Sequence, residues 1–409
     1  MPDFPTLDDL APRGKTVLVR ADLNVPLRNG QVSDLSRLER LLPTLKDLSE
    51  KGAKIVLLSH FGRPDGKPEE TYSLRPVAKA LGDLWGQPIG FAEDCIGPKA
   101  EATVKALTPG QILVLENTRF HPGEEKNDPA FAQALAALGD IYVNDAFSVS
   151  HRAHASTEGI VKFLPSAAGR AMQEELEALT KALEKPERPL AAIVGGSKIS
   201  TKLALLQNLI GKTDMLILGG GMANTFLAAR GIAVGKSLCE PEMYQTAKDV
   251  MAKAEQRGCH ILLPKDVTVA AALKEGVATK CVSVNAVPAD EMILDLGNET
   301  VKEIKESLAL CKTIVWNGPL GAFETPPFDV ATTEVSICLA DLTKRGKVLS
   351  VAGGGDTMAA LASAGVTNGV SYLSAAGGAF LEWLEGVELP GVAALKKAAP
   401  KGKIGKVIM

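Results

Sequence analysis

The stretch that most narrows what this chain can be is PLAAIVGGSKISTK, residues 189–202. Its apolar run, Leu190 to Val194, has the length and flanks of a buried strand. The run leads into Gly195 and Gly196, a serine, two lysines and a helical pattern through Ile210. A strand, a glycine turn and a helix start beside Lys198 and Lys202 together make a seat for phosphate. Backbone N–H groups point out of such a turn, the helix dipole favours an anion, and the lysines add charge. Loops before this stretch carry arginine and histidine, whereas loops after it carry glycine, Asn, Glu and Asp. That asymmetry predicts two halves that bind two different partners.

A chain of 409 residues is too long for one ordinary core and implies two domains. Its 46% apolar and 23% charged residues are those of a soluble globular protein. A net charge of -3 gives no global basic field for nucleic acid or a membrane surface. Cys95, Cys239, Cys259, Cys281, Cys311 and Cys338 are scattered with no CxxC pair, so a zinc or dithiol site is not expected and a reducing compartment is. The opening MPDFPTLDDLAPRGK lacks the apolar core of a secretory signal, and no apolar run is long enough to cross a bilayer. The expectation is a cytoplasmic monomer.

In the first half, β-rich runs at 16–19, 54–59, 112–116 and 141–143 end in polar clusters and alternate with helical patterns at 34–51, 74–85 and 129–138. A long helical stretch follows at 167–185. The second half repeats the rhythm, with strands expected at 215–218, 261–263, 313–315, 348–351 and 370–373. The fold class expected is therefore α/β: two doubly wound domains, each a parallel sheet flanked by helices, with an interdomain helix and a cleft. In such sheets ligands lie beyond the carboxyl ends of the strands, where these clusters fall. The expected domains are 1–170, a linker helix at 171–188, then 189–388, with 389–409 returning to the first.

Arg20, Arg37, Arg63, Arg119, Arg152 and Arg170, with His60, His121, His151 and His154, lie at or near strand ends of the first half. Gathered arginines repel one another unless an anion is present, and their forks match phosphate and carboxylate oxygens. They predict a pocket for a small, multiply negative substrate, with Asp22 and Asn24 orienting them or holding hydroxyls. A lone arginine of this kind is more often a surface charge or ion pair. His151 and His154 have HxxH spacing, but no carboxylate or cysteine spacing completes a metal set.

In the second half, glycine clusters at 195–196, 219–221, 353–355 and 377–378 each follow a strand. Glycine lets a backbone approach a ligand and offer N–H donors. One cluster is an ordinary turn; four on one sheet edge predict a nucleotide lying across it. Asp356 is placed to hold Mg²⁺ on phosphates or to act as an N-cap. Glu324 is placed to accept ribose hydroxyls or to stand exposed. GxxxxGK followed by Ser or Thr is absent, as is a complete GxGxxG, which disfavours P-loop and dinucleotide-binding readings. The protein-kinase strings HRD and DFG are missing too.

RADLNVPL, SHFGRPDG, ENTRFHPGEE, DAFSVSHRAHAS, GGSKISTK, GGGMANTF, WNGPLGAFE and GGGDT occur in this order along the chain. Taken together they resemble the phosphoglycerate kinase family from end to end. The resemblance implies Mg²⁺-dependent phosphoryl transfer between 1,3-bisphosphoglycerate and ADP, giving 3-phosphoglycerate and ATP. It assigns the acid substrate to Asp22, Asn24, Arg37, His60, Arg63, Arg119 and Arg152. It assigns the nucleotide to Lys202, Gly220, Asn317, Glu324, Gly353, Gly354, Gly355, Asp356 and Thr357, with Asp356 towards the metal. Arg37 and Lys198, helped by N–H groups around Gly354 and Gly378, are the expected partners of the migrating phosphoryl group. The acceptor is a carboxylate, ionised near neutral pH, so no general base is required. The work is positioning and charge neutralisation with water excluded, which implies domain closure with hinges near 167–185 and 374–378.

One loop departs from the family, which usually reads STGGGA where this chain has Ser374-Ala375-Ala376-Gly377-Gly378-Ala379. A positive φ at Ala376 would cost about 1 kcal/mol. The alternative from another class is a non-catalytic anion- and nucleotide-binding protein of the same fold. It would be expected to have lost charges such as Arg37, Lys198, Lys202 and Asp356, all of which are present.

Overall fold

Strand β1 (Thr16–Arg20, TVLVR) is buried from its second residue on. Val17 and Val19 face one side of the sheet, with the helix residues Leu38, Leu41, Leu45 and Val77. Leu18 faces the other side, with Ala100, Val104 and Leu135. Alternation of period two thus becomes a continuous apolar run, because both faces are covered. The computed structural model describes residues 3–398, which divide into two compact units, Met1–Glu177 with the chain from Glu388, and Ala178–Val387.

After β1, the first unit continues with the short hairpin β2 (Leu27–Arg28) and β3 (Gln31–Val32). Then come β4 (Lys54–Leu58), β5 (Gly90–Ala92), β6 (Ile112–Leu115), β7 (Ile141–Asn144) and β8 (Ser166–Ala168). Six of these form one sheet in the order β5-β6-β4-β1-β7-β8, with every pair parallel. Helices α1 (Ser36–Glu50), α2 (Arg75–Trp85), α3 (Gly97–Lys105) and α4 (Pro129–Ala136) connect them, and α5 (Arg170–Leu179) follows β8. Arg20 pairs with Leu58 on one side and Asn144 on the other, so the loops after β1, β4 and β7 leave from one edge.

The stretch expected as one helix over 167–185 begins instead as strand β8. Its small residues complete the sheet, pairing Tyr142 with Ser166 and Asn144 with Ala168, and the Ala168 amide donates to the Pro5 carbonyl at 2.8 Å. Ladder hydrogen bonds override the helix preference of Ala167 and Ala168. Beyond α5 the chain takes a π-helical turn, Thr180–Glu184.

The second unit has β9 (Leu190–Val194), β10 (Met215–Leu218) and β11 (His260–Leu262), followed by β12 (Asp266–Ala270), β13 (Lys280–Ser283) and β14 (Met292–Leu296). It ends with β15 (Thr313–Asn317), β16 (Leu349–Gly353) and β17 (Tyr372–Ser374). The parallel sheet runs β11-β10-β9-β15-β16-β17. Its helices are α6 (Leu203–Ile210), α7 (Gly220–Ala229), α8 (Tyr244–Arg257), α9 (Asn298–Leu310), α10 (Val330–Lys344), α11 (Gly355–Ser363) and α12 (Gly378–Leu384). A separate antiparallel sheet, β13-β12-β14, was not expected. The largely exposed strand β13 carries no apolar alternation to announce it. The last described helix, α13 (Pro390–Ala398), belongs to the first unit, where the Gly391 amide donates to the Ser150 carbonyl at 2.9 Å.

Candidate active site

In the first unit the loops after β6, β4, β1 and β7 rise from four neighbouring strands. Strand order reverses between β1 and β7, which is where ligands bind in open α/β sheets. Arg37, in the first turn of α1, forms an ion pair with Asp22 at 3.0 Å and donates to the Asn24 carbonyl at 3.1 Å. The Ser148 hydroxyl donates to Asp22 at 2.6 Å. Asn24 Oδ1 accepts from the Gly62 amide at 3.0 Å, and the Gly62 carbonyl accepts from Arg119 at 2.8 Å. Arg119 is buried, and its Nε, 3.2 Å from Glu125, has no aligned hydrogen-bond partner among the described residues. Burial depresses its pKa, and Arg152 and Arg20 add to the depression. A buried guanidinium with donors to spare, beside other cations, is what an anion would relieve.

Two histidines here, His60 and His154, are held towards the neutral form. Burial and the fields of Arg20, Arg119 and Arg152 hold His60 well below its ordinary value. Burial and the same arginines push His154 down to about 3. Arg152 is half-buried and donates to the His151 ring at 3.3 Å, and Arg63 is exposed on the Gly62 loop.

Three of the expected cationic residues lie elsewhere. Arg20 is turned inward beneath the pocket. Arg170 opens α5 in an ion pair with Asp8 and Asp47. His121 bonds Asp94 at 2.7 Å and stacks on Phe131. Their sequence spacing resembled that of the pocket residues, but acidic partners far away in sequence claimed Arg170 and His121. Among the described residues the group close enough to hold a metal is Asp94, Cys95 and His121, where burial pushes the Cys95 thiol well up.

In the second unit the order reverses between β9 and β15, and the central contact lies there. Lys202 Nζ donates to the Gly195 carbonyl, just past β9, at 2.7 Å, and to Asn317 Oδ1, at the end of β15, at 2.6 Å. Asn317 Nδ2 donates to the Gly353 carbonyl at 2.9 Å. The Gly318 amide donates to Thr357 Oγ1 at 2.7 Å. One lysine and one asparagine thereby tie the glycine turns after β9 and β16 together through the end of β15. Burial pushes Lys202 down to about 8, against the attraction of Asp356.

The helix after the first glycine turn begins later than expected, at Leu203, with Lys202 as its N-cap. The helix starts that meet glycine turns directly are α7, capped by Gly219, and α11, capped by Gly354. Gly354 has φ +97°, and a Cβ there would lie 2.7 Å from Asn317 Nδ2. Since Gly354 is the cap, Asp356 does not fill that role; it is exposed in the first turn of α11. Its carboxylate is a hard oxygen donor beside the glycine turns, a set that fits a Mg²⁺ ion sharing phosphate oxygens. Lys198 is exposed on the Gly196–Lys202 loop, and Gly378 is exposed at the start of α12. Gly377, not Ala376, takes the positive φ of that loop, so the strain anticipated at Ala376 is absent.

Beside these turns is a cavity of about 420 Å³ lined by Gly196, Gly220, Glu324 and Asp356 at its polar parts and by Leu238, Leu273, Leu294 and Leu320 at its apolar parts. Leu238 and Leu273 are 52% and 53% exposed. Apolar walls with a few polar groups suit a planar ring system. Leu238, Leu273 and Leu294 went unremarked in the sequence because they lie on loops and on the unexpected β14, where no motif marks them; Leu320 lies within WNGPLGAFE, whose polar residues drew the reading.

Two doubly wound units, one with a cationic pocket and one with a glycine-walled cavity at a buried lysine, define a class of α/β proteins that handles a small anion and a nucleotide. The phosphoglycerate kinase family model matches residues 7–387. The phosphoglycerate kinase of Rhodospirillum centenum is 62% identical over 96% of this chain and 99% of its own length, and that of Cereibacter sphaeroides 59% over the same shares. The solved phosphoglycerate kinase of Coxiella burnetii superposes with a TM-score of 0.91 at 42% identity, covering 97% of this chain and 100% of that one. That of Pyrococcus horikoshii gives 0.79 at 30%, covering 96% and 98%. The chain belongs to the phosphoglycerate kinase family.

Proposed function

We propose that this chain catalyses reversible phosphoryl transfer between 1,3-bisphosphoglycerate and ADP, with the acid held by the first unit and the nucleotide by the second. As a family member it is a glycolytic phosphotransferase. The observation that carries the division of labour is chemical. Arg119 keeps a buried Nε with no aligned hydrogen bond among further cations, its one ion pair being with Glu125, while the second unit offers an apolar cavity opening onto glycine turns tied by Lys202.

Arg37, Arg63, Arg119 and Arg152 would neutralise the acid's phosphate and carboxylate, with Asp22 and Asn24 setting the angle of Arg37. Gly353 to Thr357, Gly220, Asn317 and Lys202 would seat the nucleotide phosphates, and Glu324 the ribose. Asp356 would hold Mg²⁺, which supplies charge neutralisation on the phosphate oxygens. Arg37, Lys198 and the amides near Gly354 and Gly378 would stabilise the migrating group's spread negative charge. The acceptor carboxylate is ionised at neutral pH and needs no base. Closure of the two units would exclude water from the acyl phosphate. Both sites belong to one chain, so a monomer suffices. No described helix is long and apolar enough to cross a membrane.

The test is a coupled assay for ATP formation from 1,3-bisphosphoglycerate and ADP, run with and without Mg²⁺. Absence of ATP formation with both substrates bound would instead favour the non-catalytic alternative.

A further inference from the structure

Beneath the anion pocket lies a buried chain of polar contacts that the transfer reaction does not itself use. Arg20 ends β1 and is 1% exposed. Its Nε donates to Ser156 Oγ at 2.9 Å and one terminal nitrogen to the Ala21 carbonyl at 2.6 Å; the other terminal nitrogen lies 3.0 Å from His60 Nδ1. Ser156 donates from its hydroxyl to one oxygen of Glu124 and from its amide to the other, at 3.0 Å. Glu124 is fully buried and feels the Arg20 charge. The Tyr142 hydroxyl fixes the Ser156 carbonyl at 2.8 Å.

A guanidinium has only donors and keeps its proton throughout the accessible pH range. Facing it, His60 Nδ1 has to accept, and therefore carries no proton. A neutral ring in that position has its proton on Nε2. An imidazolium would point an N–H at an N–H. Burial and the surrounding arginines disfavour the imidazolium in the same direction. Among the described residues no protein group hydrogen-bonds Nε2.

We propose that Arg20 is a positioning residue: held by Ser156 and Glu124, it locks His60 in the Nε2–H tautomer and so presents a neutral donor to the anion pocket. A neutral donor adds a hydrogen bond to the bound acid without adding charge to a crowded set of cations. The consequence for substrate rests on the first unit being the acid site, but the tautomer does not.

The experiment is ¹⁵N–¹H spectroscopy of the full chain labelled at histidine, from pH 5.5 to 8.5, with His60→Gln identifying the His60 signals. An unprotonated Nδ1 and protonated Nε2 throughout that range are expected. A proton on Nδ1, or titration to imidazolium within the range, would overturn the proposal. Added 3-phosphoglycerate should shift the Nε2 signal. Saturable binding that leaves it unmoved would refute the acid-site reading while leaving the tautomer assignment intact. In Arg20→Met, His60 should lose its fixed tautomer and gain proton occupancy on Nδ1, and KM for 3-phosphoglycerate should rise about tenfold at pH 8, the worth of one hydrogen bond. KM for ATP should stay put. Arg20→Lys, which keeps a donor, should restore most of the loss. An Arg20→Met protein with an unaltered His60 spectrum would also overturn the proposal. If that variant fails to fold, the wild-type and Arg20→Lys spectra decide.

Discussion

At the scale of single residues, Lys202 is a buried cation whose environment departs from that of a free side chain. Burial brings it down to about 8 from 10.5. It is therefore an ammonium below pH 8 and loses charge as pH rises through 8. If it binds nucleotide phosphate, affinity for ADP at fixed Mg²⁺ should hold between pH 7 and 8 and then weaken by up to about tenfold per unit. Titration calorimetry across pH 7.5–9.5 measures this. Lys202→Arg should flatten the profile, and a wild-type profile already flat would remove Lys202 from the phosphate site. Gly354→Ala tests the neighbouring turn. Its Cβ would press on Asn317 Nδ2 at a positive φ, and Asn317 would give way only by releasing Gly353 or Lys202. ADP affinity should fall at least about tenfold, with strain of about 1 kcal/mol adding to the lost contact. Affinity for 3-phosphoglycerate should not change.

At the scale of elements, two helices start against buried carboxyls. Asp145 accepts from the Met172 amide near the start of α5 at 3.1 Å, and Asp295 accepts from the Ala331 amide in α10 at 2.9 Å. Burial raises each to about 7. A folded-state value raised above the unfolded 3.8 means the folded protein holds the extra proton between these limits. The stability that proton confers is present below pH 4 and is lost as pH rises towards 7. Asp145→Asn, which keeps an acceptor for the helix, should gain on the parent from pH 4 to 7, by up to about 4 kcal/mol, and level off above. Urea midpoints at pH 4.5, 6 and 7.5 check it, and a constant difference would show that Asp145 does not titrate in this way. The burial of these acids was not legible in the sequence, because burial is set by chain that arrives from elsewhere. The apolar runs of β1, β4, β9 and β15 were legible because a strand covered on both faces is apolar throughout. Strand β8 was not, since small residues serve helix and strand alike. Nor was β13, whose residues face solvent.

At the scale of the whole molecule, the two-partner reading predicts separable losses. Arg37→Ala should reduce turnover by at least about a hundredfold, as a lost transition-state charge contact does, while ADP affinity measured by calorimetry stays within about twofold, inside the spread expected of distant, independent sites. Loss of ADP binding in that variant would contradict the division. Arg37 was legible as part of a cationic set at one sheet edge, as Gly353 to Gly355 were as a glycine turn between a strand and a helix. What the sequence could not separate was Arg37 from Arg20 and Arg170, because an arginine shows its type but not its partner.

The crossing of the chain back into its first unit gives the last described helix an importance that its place in the sequence conceals. Helix α13 follows the second unit directly, yet Gly391 is hydrogen-bonded to Ser150, two residues before Arg152. Trimming the chain before Pro390 would thus unfasten a loop of the first unit, where the proposed function puts the acid. A shortened enzyme should keep its grip on ADP while losing its grip on 3-phosphoglycerate, so the injury would show up far along the sequence from the cut.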